Sequence, residues 1–306
     1  MNKIILILAL VLMHLTAVGQ PIDAEKAEQG DICEQIKMGD FYFSHTHDGR
    51  NNIAGIIFHG LSSYGTGKWY KWYSRAAASG SFVANVKLGL IHLLLRLTDD
   101  RNYNTATDEL QKAKNALLKA LSIYPNVLDA DKKYMAMWGE NNFVQALYYG
   151  LGCYYWRCGD FTTAASYLKK LADTDGSSKA KCYGMILLVK YLGHKQYYDD
   201  AVIYCGRVIK TQNKCTNDTF EMACFYLGTI CYHKGNKARA YELWQLSSYW
   251  RNQYEHHWDK SKGDFPRHSR NNLYYQLMSD AFDCGVHGIH YKSIAEVLLL
   301  DISTFQ

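Results

Sequence analysis

The feature that most constrains the fold is an internal repeat. Residues 148–171 and 224–247 align without a gap when Gly152 is placed on Gly228. Equal offsets then pair identical or bulky residues: Leu151 with Leu227, Gly159 with Gly235, Ala164 with Ala240, Tyr149 with Phe225, Trp156 with Tyr232, and Leu168 with Trp244. Because a repeated unit buries its apolar face against its neighbours, the chain is predicted to be an array of stacked copies.

Each copy is predicted to be a helix, a turn and a second helix. Apolar residues recur at three and four positions, as on one face of a helix, and Gly159 or Gly235 interrupts that pattern once. Antiparallel helices approach to about 8–10 Å only where the side chains at the crossing are small. Gly152 and Ala164 are therefore predicted to face each other at the helix crossing.

Further copies keep the same spacing less regularly. An alanine with apolar residues four and seven positions later occurs in Ala113, Leu117 and Ala120, in Ala164, Leu168 and Leu171, and in Ala201, Cys205 and Val208. Leu188 and Leu192 supply the first helix of the last set. Twelve residues after each alanine, Ala240 included, stands a residue that ends helices or favours turns: Pro125, Gly176, Asn213 or Asn252.

One copy is longer than the others. Gly89 and Ala113 are 24 residues apart, where the corresponding glycine and alanine elsewhere are 12 apart. The spacing predicts an inserted loop over Thr98 to Thr107, between the paired helices.

These positions resemble a known repeat family. The small residues on both helices, Tyr155 three positions after Gly152, and the run from Ala113 to Pro125 are similar to tetratricopeptide repeats, whose period is about 34 residues. Upstream, the spacing resembles the related Sel1-like repeat at Trp72, Tyr73, Ala76, Ala77, Gly80, Ala84, Leu88 and Gly89.

The resemblance implies an all-α, right-handed solenoid of helical hairpins over residues 69–253. Its period is irregular, because the repeat alanines Ala113, Ala164, Ala201 and Ala240 are separated by 51, 37 and 39 residues. A solenoid needs atypical ends to cover its terminal apolar faces. Residues 20–68 are predicted to be the N-terminal cap, and residues 254–306 a polar loop followed by capping helices.

The resemblance also implies a function, since the first helix of each tetratricopeptide unit lines a groove that binds extended peptides or partner helices. The implied partner-binding residues are Tyr149, Trp156, Arg157, Tyr183, Lys190, Phe225, Tyr232 and His233. Aromatic rings interleaved with cations are typical of recognition surfaces. Packing between repeats is an equal alternative for the aromatic residues, and binding of an envelope polysaccharide is an alternative to binding of a protein or peptide.

The N-terminus indicates export. Lys3 precedes an apolar run from Ile4 to Leu12, and Ala17 and Gly19 are small residues before a plausible cleavage site. Residues 1–19 are therefore predicted to be a signal peptide that resembles those of exported Bacteroidetes proteins, with the periplasm or the cell exterior as destination. The alternative is an uncleaved anchor, although the apolar run is about half the length of a membrane-spanning helix.

All nine cysteines follow the predicted leader, in a compartment that permits disulfides. At least one must be free or bonded to another chain, because the number is odd. Cys153 and Cys224 lie in helical patterns, where the interpretation is a small buried apolar residue. None of the nine has the spacing of a zinc site.

Charge and motifs argue against several functions. A formal charge of +5 over 306 residues, without a run of Lys or Arg, does not predict nucleic-acid binding. His59-Gly60 lacks the nucleophile motif of a hydrolase, and His45 with His47 is an isolated metal-type pair in a predicted surface loop. His256 and His257 are likewise assigned to a surface loop. We predict no enzyme, no metal and no cofactor.

Overall fold

The computed structural model describes residues 21–44, 68–98, 103–137, 139–210, 217–240, 242–244 and 247. Every regular element in these ranges is a helix, which confirms the all-α prediction. The predicted signal peptide, His45, His47, His59 and the predicted C-terminal cap over residues 254–306 lie outside the described residues.

Eleven α-helices occupy most of the described residues. In chain order they are α1 (Ala24–Gln29), α2 (Ile32–Ser44), α3 (Lys68–Ala78), α4 (Phe82–Thr98), α5 (Tyr103–Ile123), α6 (Asp129–Ala136), α7 (Glu140–Arg157), α8 (Phe161–Ala172), α9 (Lys179–His194), α10 (Tyr198–Lys210) and α11 (Asn217–His233). A single 3₁₀ turn, Tyr124–Asn126, follows α5. Residues 237–240, 242–244 and 247 are helical as well.

The chain divides into two compact units, one ending at Gly176 and the other beginning at Ser177. In the first, α4 pairs with α5 and α7 pairs with α8, and α7 packs against both α4 and α5. In the second, α9, α10 and α11 pack against one another. Neighbouring hairpins therefore stack within each unit, while a continuous solenoid over residues 69–253 stays a prediction.

The repeat positions predicted from spacing form the core. Nine of them have no exposed surface: Ala113, Leu117, Ala120, Ala164, Leu168, Leu171, Ala201, Cys205 and Val208. Ala240 is fully buried too, and so are Leu188 and Leu192. A row of small and medium apolar residues on the second helix thus faces the first helix in each repeat, as the helical periodicity predicts.

At the helix crossings of Gly152 and Gly228, a large side chain of the second helix packs against the glycine of the first. A Cβ added to Gly152 would lie 2.6 Å from Cδ2 of Leu168, and one added to Gly228 would lie 2.7 Å from Cδ1 of Trp244. Leu168 and Trp244 occupy equivalent positions in the two aligned copies. The larger side chain one turn after the alanine therefore packs over the glycine. The alanine lies at the crossing as well in the equivalent copies, since the carbonyl oxygens of Ala240 and Ala113 would lie 3.0 Å and 3.4 Å from a Cβ at Gly228 and Gly89. A direct contact between Gly152 and Ala164 stays a prediction.

The prediction of an inserted loop over Thr98 to Thr107 was wrong. Helix α4 continues to Thr98 and α5 begins at Tyr103, so most of the segment from Thr98 to Thr107 is helical. The crossing near Gly89 is kept, because a Cβ there would lie 2.5 Å from Cγ of Leu117. The extra residues lengthen both helices of the hairpin. Helical residues satisfy their own backbone hydrogen bonds, which is lower in free energy than a long loop whose backbone groups lack partners.

A distant carboxylate caps α4. Asp131 on α6 accepts hydrogen bonds from the Ser81 hydroxyl at 2.6 Å and from the Phe82 amide at 2.8 Å. Burial raises the pKa of Asp131, while these hydrogen bonds lower it. The first turn of α4 is thereby satisfied by a residue from a different helix.

The turns that close the hairpins share one geometry. Gly159 and Gly235 have φ of 79° and 82°, and in each turn the next amide donates to a carbonyl five residues earlier, as in Asp160 to Tyr155 at 3.0 Å. This is the left-handed helix cap that glycine favours. Gln196 holds the same place between α9 and α10 with φ of 60°, and Tyr197 donates to Leu192 at 2.8 Å.

Replacing Gln196 with Gly is expected to stabilise the protein by about 0.5–1 kcal/mol, because the left-handed conformation costs a side chain about 1–2 kcal/mol and glycine loses part of that gain in chain entropy. Urea unfolding followed by circular dichroism measures the difference. Gln196→Ala serves as the control, since it shortens the side chain but keeps the Cβ. A Gly variant less stable than the Ala variant would contradict this account of the turn.

Candidate functional site

The implied groove residues of the first unit differ in accessibility. On α7, Tyr149 is fully buried, Trp156 is half-buried and Arg157 is exposed. Tyr149 lies near Cys153, whose thiol is also buried. The structure therefore places Tyr149 in the packing, and it leaves Trp156 and Arg157, at the end of the helix, within reach of solvent.

The second unit shows the same division. Tyr183 on α9 and Phe225 on α11 are buried, Lys190 and Tyr232 are half-buried, and His233 is exposed. The accessible residues again lie in the last turns of their helices. A binding role for any of these residues stays a prediction.

In two hairpins, residues at equivalent positions form a ring contact at the end of the first helix, with an aromatic partner in one and a cation in the other. Phe161, the first residue of α8, packs edge-on against Trp156 with ring centroids 5.1 Å apart, yet it remains 45% exposed. In the second unit the equivalent residue, Lys237, places its Nζ 5.8 Å from the centre of the Tyr232 ring. We call this contact the hairpin-end pair. In the second unit the cation of the pair is Lys237, and in the first the residue that follows Trp156 is the exposed Arg157.

A second aromatic surface on the first unit was not predicted. Tyr155 on α7 and Tyr167 on α8 stack in parallel, with centroids 5.6 Å apart and an interplanar angle of 11°. Tyr148 and Tyr124 lie close by: burial and the Tyr124 phenol raise the pKa of Tyr148, and burial with the phenols of Tyr155 and Tyr148 raises that of Tyr167. All four side chains are half-buried. We call these four residues the tyrosine surface.

The first unit also contains a buried polar cluster. The Lys87 ammonium on α4 donates to Oδ1 of Asp40 on α2 at 2.5 Å and to the Tyr134 hydroxyl on α6 at 2.9 Å. The Tyr73 hydroxyl on α3 donates to the same carboxylate at 2.5 Å, and the Tyr134 hydroxyl donates to its other oxygen. One carboxylate thus joins four helices.

The chemistry of this cluster is determined by its burial. The side chains of Lys87 and Asp40 are 1% and 0% exposed. Burial lowers the pKa of Lys87 and raises that of Tyr73; the Asp40 charge opposes the first shift and adds to the second. Because both charged side chains are buried, removal of either one would leave the charge of the other uncompensated.

Sequence reasoning missed this cluster for a simple reason. Along the chain, Lys87 is 47 residues and Tyr134 is 94 residues from Asp40. The available signal was local: Lys87 falls among Phe82 to Ile91, a segment whose apolar character predicts burial on every face. A lysine in such a segment requires a buried carboxylate as partner.

The cysteines combine both predicted states. Cys182, in the first turn of α9, is disulfide-bonded, and its partner lies outside the described residues. The remaining described cysteines are thiols: Cys33, Cys153, Cys158, Cys205, Cys224 and Cys231. Cys153 and Cys224 are buried as predicted, and burial raises the pKa of each to about 12. Such thiols behave as small apolar residues.

The described residues form neither a metal-binding cluster nor a helix able to cross a membrane. Those residues contain no group of three or more His, Cys, Asp and Glu side chains placed to hold a metal ion. Among the described helices, none combines the length and apolar character that crossing a bilayer requires.

Comparison with known proteins gives no family. No protein-family model, curated protein or solved structure matches the chain. Support for the candidate site therefore comes only from the geometry within each of the two units.

Proposed function

We propose that this protein is a non-catalytic, exported helical-repeat protein of tetratricopeptide or Sel1-like type that binds a partner protein or peptide, as a scaffold or adaptor of the cell envelope. The observation that carries the proposal is the hairpin-end pair, which recurs at equivalent positions of two repeats. In the first unit it leaves Phe161 45% exposed beside Trp156 and Arg157.

The composition of the hairpin-end pair supports recognition. Trp, Tyr and Arg are the residue types that contribute most to protein interfaces. The rings of Trp and Tyr bury much area at little entropic cost, because each has only two rotatable side-chain bonds. The ring of Phe161 is only partly covered by its contact with Trp156 and remains 45% exposed. A partner that covers Phe161 would remove its apolar surface from water.

Two observations support export. The first nineteen residues have the pattern of a signal peptide. Cys182 is disulfide-bonded, and disulfides persist in the periplasm and outside the cell but are rare in the cytosol.

A polysaccharide partner is the second candidate. The parallel pair of Tyr155 and Tyr167 favours it, because sugar rings stack on flat aromatic faces.

Replacing Trp156 and Tyr232 together with Ala is expected to reduce capture of the partner at least tenfold, because the double change removes the central ring of both hairpin-end pairs. The measurement uses the exported protein as bait in an envelope extract and quantifies the co-eluting protein. Far-ultraviolet circular dichroism verifies that helicity is kept.

The matched control replaces Phe41 and Tyr197 with Ala. These two aromatic side chains are 40% and 58% exposed, one in each unit, and neither belongs to a hairpin-end pair. Equal loss of capture in both double variants, or full capture by the Trp156 and Tyr232 variant, would refute the proposed site.

A further inference from the structure

We propose that Lys87 and Asp40 condense after folding into an intramolecular amide bond, with the Tyr134 hydroxyl carrying protons between them. The inference does not depend on the proposed function, since it concerns the buried polar cluster and not a surface of the protein. The ion pair seen in the structure is the state before condensation. The bond joins α2 to α4 covalently, across 47 positions of the chain.

The first argument is the placement of the two reacting groups. Nζ of Lys87 lies 2.5 Å from Oδ1 of Asp40, and the two side chains are 1% and 0% exposed. The centres of the Tyr134 and Tyr73 rings lie 4.9 Å and 5.6 Å from the same nitrogen. Groups held in contact in this way react as if their concentration were about 10⁵–10⁸ M. The fold therefore supplies an orientation that lysine and aspartate lack in solution.

The second argument is the protonation state of the nucleophile. An amine attacks a carboxyl carbon only in its neutral form. Burial lowers the pKa of Lys87, although the Asp40 charge opposes this shift. Transfer of one proton from Nζ to the carboxylate turns the ion pair into an amine and a carboxylic acid, which cost less to keep buried than two charges. Desolvation activates lysine as a nucleophile in this way.

The third argument is the path of the protons. The Tyr134 hydroxyl accepts a hydrogen bond from Nζ of Lys87 at 2.9 Å and donates one to Oδ2 of Asp40. It therefore contacts both the nitrogen that loses protons and the oxygen that leaves. The Tyr73 hydroxyl donates to Oδ1 at 2.5 Å, the oxygen that remains in the amide. Tyr134 is thus placed as a general acid–base relay, and Tyr73 as the donor that stabilises charge on Oδ1.

The reaction balances without a co-reactant. A bond forms between Nζ of Lys87 and Cγ of Asp40, and the bond between Cγ and Oδ2 breaks. Of the three protons of the ammonium, one stays on the amide nitrogen and two leave with Oδ2 as water. Condensation removes both buried charges, and its reversal requires water to return to a buried site.

Mass spectrometry of the full chain, reduced and denatured in urea, tests the inference, because urea separates an ion pair but not an amide. We expect the mass to be lower by one water molecule. Trypsin should not cleave after Lys87 and should release residues 38–50 joined to residues 76–96 through that lysine. Asp40→Asn should give the same branched peptide, because an amide side chain loses ammonia in place of water. Lys87→Met lacks the amine and should give linear peptides only.

Two further measurements separate condensation from simple contact. Tyr134→Phe keeps the ring and removes the relay, so the rate of condensation should fall at least about tenfold, with circular dichroism verifying the fold. Lys112 and Asp108 are the internal control: they lie 2.6 Å apart but are 42% and 63% exposed, and they should stay unlinked.

Unbranched peptides and cleavage after Lys87 in the folded wild-type protein would overturn the inference. Equal condensation in the Tyr134→Phe variant would overturn the role of that hydroxyl, and a link between Lys112 and Asp108 would overturn the role of burial. None of these results bears on capture of a partner through Trp156 and Tyr232, so the proposed function is tested separately.

Discussion

Lys87→Met is expected to lower the free energy of unfolding by about 3–5 kcal/mol, because it leaves the buried Asp40 carboxylate without the ammonium that neutralises it. Methionine has a similar volume, so the loss reports charge and hydrogen bonding and not a cavity. Urea unfolding of the full chain, with the midpoint and slope measured separately, determines the change.

Lys112→Met is the matched control for Lys87→Met. Lys112 forms ion pairs with Asp108 at 2.6 Å and with Glu109 at 2.9 Å, but its side chain is 42% exposed. Exposed pairs of this kind contribute about 0–1 kcal/mol. If both variants lose the same stability, the Lys87 cluster does not hold the four helices together.

Gly228→Ala is expected to destabilise the protein by about 1–3 kcal/mol, since the new methyl group would lie 2.7 Å from Cδ1 of Trp244 and 3.0 Å from the Ala240 carbonyl oxygen. A backbone carbonyl cannot move aside as the end of a flexible side chain can. Thermal and urea unfolding should show the change without loss of helicity at low temperature.

Gly206→Ala makes the same chemical change on α10 of the same unit. Among the described residues, and apart from the adjoining backbone of α10 itself, no atom lies within 4 Å of a Cβ built at Gly206. The substitution should therefore stabilise the protein by up to about 1 kcal/mol through helix propensity alone. The two variants are therefore expected to shift the unfolding midpoint in opposite directions. Shifts of the same sign would mean that the Gly228 crossing is not tightly packed.

Several elements were predictable because their causes are local. Ala164 and Ala240 were identified as core from the helical period, and both have no exposed surface. Gly159 and Gly235 were identified as turns, and both adopt the left-handed conformation that glycine favours. The extent of α4 and α5 was mispredicted, because a change in repeat length does not say whether the extra residues continue a helix or leave it.

The candidate site was less predictable. The family resemblance implied the same binding role for Trp156 and Tyr149, yet only Trp156 is accessible, because exposure depends on which helices cover each face of α7. The pair of Tyr155 and Tyr167 was missed, since the stacking of two rings depends on how α8 is rotated against α7.

The amino-acid sequence by itself determined the helices, their turns and the small residues at their crossings, because hydrophobic period and glycine act over a few neighbouring positions. Only the tertiary structure decided which distant groups meet. Asp40 accepts from Lys87 and Tyr134, and Asp131 caps α4, because burial makes an unpartnered polar group so unfavourable that the helices adopt the arrangement that pairs these groups.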